Sequence, residues 1–316
     1  MNSVLTETAT PTKPAPRLGN GFWSLVDQGG VSLGNFLSNW ILARNLARVD
    51  YGIFALLFGV MLLALSVHSS LIAVPLSVYG ANATDRERKR LNGYALVFAT
   101  IIAAPIGLVC LIACIYVKQA SLSVWVIVAM FAWLLQETAR RALMAELRYR
   151  DVLWGDAISY LGQVLGLIIV MREGALGLAS AFVVMAVTSA AAGLLQFLQT
   201  GVLLPRPQSL IREAKRFCLL GGWPLLGNLT SVLTLQIFPW TLAIARGPAQ
   251  TAMYQAAGNL LQISHPLLLS IGNVIIPASA RAMAKNGIHA AKRTALRYGG
   301  QGALLAIPYY LVLVLL

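Results

Sequence analysis

Residues 121–151 read SLSVWVIVAMFAWLLQETARRALMAELRYRD. Of the 19 positions from 121 to 139, 14 are apolar, and the next twelve carry four arginines. A helix crosses a hydrocarbon core of about 30 Å with about 20 apolar residues, and positive charge is retained on the cytoplasmic side during insertion. The stretch therefore predicts a transmembrane helix that ends at the cytoplasmic face.

The same alternation extends in both directions. Apolar spans are predicted at 21–43, 51–80, 93–116, 121–139, 152–171, 175–199, 218–245, 251–280 and 298–316. The N-terminal tail and the breaks at 81–92, 140–151, 200–217 and 281–297 hold 19 of the 24 lysines and arginines. Only Arg44, Arg48, Lys118, Arg172 and Arg246 lie in the opposite breaks. The expectation is an all-α polytopic membrane protein of about nine transmembrane helices with a cytoplasmic N-terminus.

The charge asymmetry also accounts for the formal net charge of +13. Nucleic-acid binding calls for a basic face on a soluble domain with aromatics among the charges, whereas Arg86, Arg88, Lys89 and Arg90 stand directly beside a span. Such clusters face anionic headgroups, so membrane lipids are expected neighbours. At 58% hydrophobic and 11% charged the chain is no ordinary soluble globule. Cys110 and Cys114 share one helix face at i, i+4, which suits packing and not a disulfide within one helix. No metal-ligand spacing occurs and no cofactor is expected. Residues 1–17, MNSVLTETATPTKPAPR, are polar and proline-rich and read as a disordered tail. No break is long enough for a soluble catalytic domain of at least about 50 residues.

Spans 1–2 and 7–8 resemble each other. Trp23 and Trp223, Trp40 and Trp240, Arg44 and Arg246, Tyr51 and Tyr254, and Pro75 and Pro277 recur in order at offsets of 200 to 203. An offset of six helices makes the repeats parallel, an architecture of two-lobed transporters. The predicted division is 18–205 for a first lobe of six helices and 206–316 for a second lobe carrying three. The second lobe is then incomplete, and the chain reads as a fragment or a truncated product.

Polar residues inside spans mark the candidate pathway. Gln28, Ser32, Asn35 and Asn39 recur at helical spacing on span 1, and Gln255, Asn259, Gln262, Pro266, Ser270 and Asn273 on span 8. A carboxamide facing lipid is costly, so each stripe faces protein or a wet cavity. Asp27 on span 1, Glu137, Arg140 and Arg141 closing span 4, and Asp156 opening span 5 lie at similar depth. They predict an ion-pair network that either braces helix ends or gates the inner mouth. Arg44, Arg48 and Arg246 could meet an anionic headgroup or snorkel to the interface. His68 and His265 are read as hydrogen-bonded structure in preference to proton relays. Gly30–Gly34 and Gly162–Gly166 predict close helix contacts, and prolines 75, 105, 224, 239, 266, 277 and 308 predict kinks.

Three stretches carry a family resemblance: WSLVDQGGVSLGNFLSNWILARNLARVDYGIFAL from Trp23, RRALMAELRYRD after span 4, and MYQAAGNLLQISHPLLLSIGNVIIPASAR in span 8. In these the chain resembles the polysaccharide and O-antigen exporter branch of the multidrug/oligosaccharidyl-lipid/polysaccharide exporter superfamily. The resemblance implies two six-helix lobes about a central cavity, twelve to fourteen helices in all, and alternating access in a bacterial inner membrane. It further implies a lipid-linked glycan as substrate and polysaccharide assembly proteins as partners. The chain departs from that pattern in its helix number and in having few buried cations for a diphosphate.

The leading expectation is a lipid-linked glycan flippase whose cavity is lined by Asp27, Asn35, Asn39, Arg44, Arg246, Gln255, Asn259, Gln262 and Asn273. The alternatives are a drug or ion-coupled exporter of the same fold, an integral-membrane glycan polymerase or ligase, and an inactive remnant. An enzyme needs acid/base groups converging at one face, and the outer breaks offer only Asp50 and Glu173.

Overall fold

A computed structural model describes residues 18–80, 83–262, 287–297, 299–300, 303–304, 307 and 311. Eight consecutive helices run through its long continuous part. They are α1 (Leu18–Asn45), α2 (Arg48–Gly80), α3 (Asp85–Tyr116), α4 (Ala120–Ala145), α5 (Tyr149–Arg172), α6 (Leu178–Thr200), α7 (Pro207–Arg246) and α8 (Pro248–Gln262). Among the described residues, six helices, α2 to α7, are long and apolar enough to cross a membrane. The chain is a multi-pass, all-helical membrane protein. Its α1 has the length, 28 residues, but Asp27, Gln28, Asn35 and Asn39 leave it less apolar than the six. The latter half of predicted span 8 and most of span 9 lie outside the described residues.

The helices begin and end in the charged sequence that hydropathy assigns to breaks. Arginine, lysine and glutamate are good helix formers, so charge next to a span prolongs the helix into the interface. Thr84 starts α3: its backbone N–H and hydroxyl donate to Glu87 Oε2 at 2.9 and 2.7 Å, and the Thr84 side chain meets the N3 backbone. This capping box places Arg86, Arg88, Lys89 and Arg90 on the first two turns. Only residues 146–148 separate α4 from α5. Leu147 adopts a left-handed φ of 59° there, and Arg148 binds Asp151 at 2.6 Å and the Gln199 carbonyl at 2.9 Å.

Lipid tails are as apolar as leucine, so helix association in a membrane rests on close packing. At the centre, α4 packs along α6, where Gly193 brings the backbones together: a Cβ there would stand 3.4 Å from Gln136 Cα. Gly34 against Tyr160 and Gly166 against Val184 mark similar approaches of α1 to α5 and α5 to α6. Gly162 lies at ordinary contact distance from Thr188, and Gly30 meets nothing within 4 Å. The expected contact at Gly30 is therefore not made. Cys110 and Cys114 are fully buried in the core that α3 shares with α4, as small apolar groups.

A second seam joins α2 to α7 and α8. Gly59 meets Gln236 and Gly221 meets Ser70, so α2 and α7 run antiparallel along their length, while Gly52 packs on Pro248 at the start of α8. Near the far end of α2, a π turn at Ser69–Ala73 leads directly into Val74 and Pro75. Proline clashes with the carbonyl four residues back, and a wider turn at that place relieves it. Pro105, Pro224 and Pro239 also lie inside helices.

Candidate functional site: a buried ion cluster and two polar flanks

Arg140 on α4 sits at the junction of α1, α4 and α5. Its Nε donates to Asp156 Oδ2 at 2.5 Å, its Nη2 to Asp27 Oδ2 at 3.1 Å and its Nη1 to Glu137 Oε2 at 3.3 Å. Arg141 Nε donates to Glu137 Oε1 at 2.5 Å. Gln196 on α6 adds an amide donor to Asp156 Oδ1 at 3.3 Å. Asp27, Glu137, Arg140 and Asp156 are each no more than 6% exposed. A guanidinium presents five donors in a rigid fork and can serve several carboxylates at once, which an ammonium does less well. Asp156 stands directly before a second π turn, Ala157–Leu161, a distortion frequent at functional positions. The cluster holds three carboxylates against two guanidiniums, and Asp27 Oδ1 is buried with no hydrogen-bond partner.

The α1 stripe lies one step round the helix from this cluster. Asp27, Val31, Gly34, Ser38 and Leu42 form the packed face, while Gln28 and Asn35 are exposed and Ser32 and Asn39 half-buried. One residue of rotation, 100°, separates the two sets. Asp27 is thus part of the ion cluster and lies off the open flank that it was expected to line. Asn39 Nδ2 donates to the Asn35 carbonyl at 3.0 Å. Asn35, Ser38, Asn39, Ser159, Gln163 and Ser189 rim a narrow recess between α1, α5 and α6.

On α8, Gln255 Nε2 donates to Asn259 Oδ1 at 3.2 Å, and Asn259 Nδ2 donates to the Tyr51 hydroxyl at 2.7 Å. These carboxamides join the α2–α8 seam. Gln262 ends the described part of α8, and Asn273 and His265 lie outside the described residues. Arg44 and Arg246 are both exposed, and Arg44 lies over the Trp40 ring at 5.7 Å. No contact links them to each other or to the ion cluster among the described residues. His68 Nε2 pairs with Thr138 Oγ1 at 2.8 Å in the fully buried interior.

Sequence reading passed over Tyr51 as a partner for Asn259, and Gln136 and Gln196 as interior polar groups. Ser159 donates to Gln136 Oε1 at 2.9 Å. The glutamines near the ends of spans 4 and 6, Gln136 beside Glu137 and Gln196 three residues before Gln199, are the signal that could have found both. Replacing Tyr51 by phenylalanine removes the acceptor for Asn259 and is expected to lower stability by about 1 kcal/mol. In a double-mutant cycle with Asn259→Leu, thermal unfolding in detergent should give a coupling of about 0.6 kcal/mol. Strict additivity would show that the bond contributes nothing.

No family model matches the chain, and none of the curated proteins is similar to it. Solved structures do match. A point mutant of a MATE protein is similar over 93% of this chain and 71% of that one, with TM-score 0.63 and 12% identity. The chain has a MATE-type transporter fold. An inward-facing multidrug resistance MATE family transporter of the MOP superfamily matches over 92% of this chain and 69% of that one, with TM-score 0.63 and 13% identity. The eukaryotic MATE transporter AtDTX14 matches over 92% and 72%, with TM-score 0.62 and 14% identity. At these identities the likeness is one of fold.

Proposed function

We propose that the chain exports a lipid-linked oligosaccharide by alternating access, with two lobes exchanging between an inward-open and an outward-open form. The observation that carries this reading is the character of the open α1 flank. Gln28, Ser32, Asn35 and Asn39 are exposed or half-buried there, and carboxamides and hydroxyls both donate and accept, which matches sugar hydroxyls. A carboxamide stripe against lipid is expensive, so a wet path is its natural setting. On this reading Arg44 and Arg246 stand at the outer mouth and meet the anionic part of the substrate.

A second reading, a cation-coupled drug exporter of the same fold, is favoured by a different observation. The ion cluster has one more carboxylate than guanidinium, and Asp27 Oδ1 lacks a partner. A bound proton or monovalent cation would balance it and could bias one conformation by differential affinity. Reconstituted vesicles separate the two substrates. A fluorescent lipid-linked oligosaccharide should lose its protection from an impermeant glycosidase faster with the protein than without it. An Asn35→Leu, Asn39→Leu variant should lose that acceleration. Accumulation of a lipophilic cation with no glycan movement would replace the flippase reading with the drug exporter.

A further inference from the structure

A cleft of about 460 Å³ opens where the end of α2, the first turns of α3 and the start of α7 meet. It is away from the α1 flank and from the ion cluster. Its walls include Tyr79, Arg90, Arg206, Arg212 and Arg216, with Glu87 and Glu213. The four arginines exceed the two glutamates by two charges. Both glutamates are engaged: Glu87 caps α3 through Thr84, and Glu213 takes Arg212 at 3.3 Å and Arg216 at 3.4 Å. Arg90 and Arg206 have no carboxylate within ion-pair reach among the described residues. Arg90 Nε is shielded from solvent and has no hydrogen-bond partner. A shielded guanidinium donor is costly to leave unmet, and a phosphate oxygen is its best acceptor.

The arginines are held in place by the local structure. The Tyr94 hydroxyl accepts from the Arg206 backbone N–H at 3.2 Å and pairs with Ser209. The linker before it is tied to α3 by Leu203 N donating to the Lys89 carbonyl at 2.9 Å. Gly93 allows the approach, since a Cβ there would stand 2.1 Å from Leu203 O. The Arg216 guanidinium lies 3.8 Å over the Tyr79 ring, which fixes its plane.

Next to the cleft is a groove of about 280 Å³ walled by apolar side chains and Cys218, among them Leu71, Ile72, Phe98, Ile102, Ile211 and Phe217. The two spaces share one aromatic wall. Tyr79 packs on Phe217 at 6.0 Å, Phe217 on Phe98 at 5.4 Å and Phe98 on Tyr94 at 6.2 Å. The tyrosines face the cleft and the phenylalanines the groove. Along α3 the cleft residue Arg90 and the groove residue Ile101 are eleven positions apart, about 16 Å at 1.5 Å per residue. That is close to half the hydrocarbon thickness of a bilayer, about 15 Å. Ile101 and Ile211 are 61% and 74% exposed, so the groove is open to the bilayer.

We infer that cleft and groove form one binding site for an anionic phospholipid, the phosphate held by Arg90 and Arg206 and an acyl chain lying along Phe98 and Ile211. Charge complementarity selects the headgroup, and the continuous aromatic wall joins it to the chain. The bound lipid touches α2, α3 and α7 together and therefore fastens α7 to the first helices at this end. It would tune the exchange between conformations whatever the transported substrate is.

The test is native mass spectrometry of the full chain released from nanodiscs of phosphatidylglycerol, phosphatidylcholine or a mixture. The wild type should retain phosphatidylglycerol and not phosphatidylcholine. An Arg90→Gln, Arg206→Gln variant should retain it at least about tenfold less well, a factor set by losing charge-assisted bonds. Ile211→Asn should weaken lipid retention and leave the binding of inorganic pyrophosphate unchanged. Equal retention by the wild type and the arginine variant would overturn the site. So would lipid retention that is indifferent to Ile211→Asn together with pyrophosphate binding as tight as lipid, which would make it a free-anion site. Circular dichroism in lipid-free detergent separates these effects from misfolding: each variant should keep the wild-type helix content.

Discussion

Replacing Arg140 by methionine is expected to be the most damaging single change in the chain. It leaves Asp27, Glu137 and Asp156 buried and close together, with only Arg141 to offset them. Removing one partner of a buried ion pair costs about 3–5 kcal/mol, and here one residue serves three carboxylates. The expected result is a large loss of folded protein in the membrane and a strongly lowered unfolding temperature in detergent. Arg140→Lys should recover only part of it, because an ammonium lacks the fork. Adding Asp27→Asn, Glu137→Gln and Asp156→Asn to Arg140→Met should restore much of the stability, since what destabilises is the uncompensated charge. A stable Arg140→Met protein would show that the cluster is not charged as drawn.

Gly52→Ala should have the next largest effect. A Cβ at Gly52 would stand 1.9 Å from Pro248 O and 2.5 Å from its carbonyl carbon. Both are backbone atoms, so α2 and α8 must separate there. Overpacking of this kind costs about 1–3 kcal/mol, which is a change of about fivefold to 150-fold in the equilibrium of the seam. Thr251 is fully buried beside it and makes a reporter. In a Cys218→Ser background, Thr251→Cys should react slowly with an impermeant maleimide. The added Gly52→Ala change should speed that reaction about tenfold. An unchanged rate would mean that the seam accommodates the methyl group without opening.

Much of the fold was legible because a bilayer imposes simple rules. Eight of the predicted spans correspond in order to α1 through α8, and the basic residues follow their ends. The charge-rich breaks were misjudged in extent: hydropathy marks where the hydrocarbon ends, while helix propensity and the Thr84–Glu87 cap decide where the helix ends. The meeting of Asp27, Glu137, Arg140, Arg141 and Asp156 was readable because charges inside spans must find one another. Which residue stands at the centre was not, since Arg140 and Arg141 differ only in the direction that α4 gives them. The placing of Asp27 on the packed face needed the helix rotation, as one step of 100° separates it from Gln28. The Tyr51–Asn259 bond joins residues 208 positions apart, and no local pattern specifies such a pair. The basic cleft was visible only as a run of arginines, because its shape depends on how α3 and α7 meet.

The proposed cargo is a lipid-linked glycan carried across the membrane. It is tested most directly by the sidedness of those glycans after deletion of the gene, probed in spheroplasts and inverted vesicles with an impermeant glycosidase. Complete units should accumulate facing the cytoplasm, and the wild-type gene should restore their appearance outside. Units on both faces in normal proportion would contradict it.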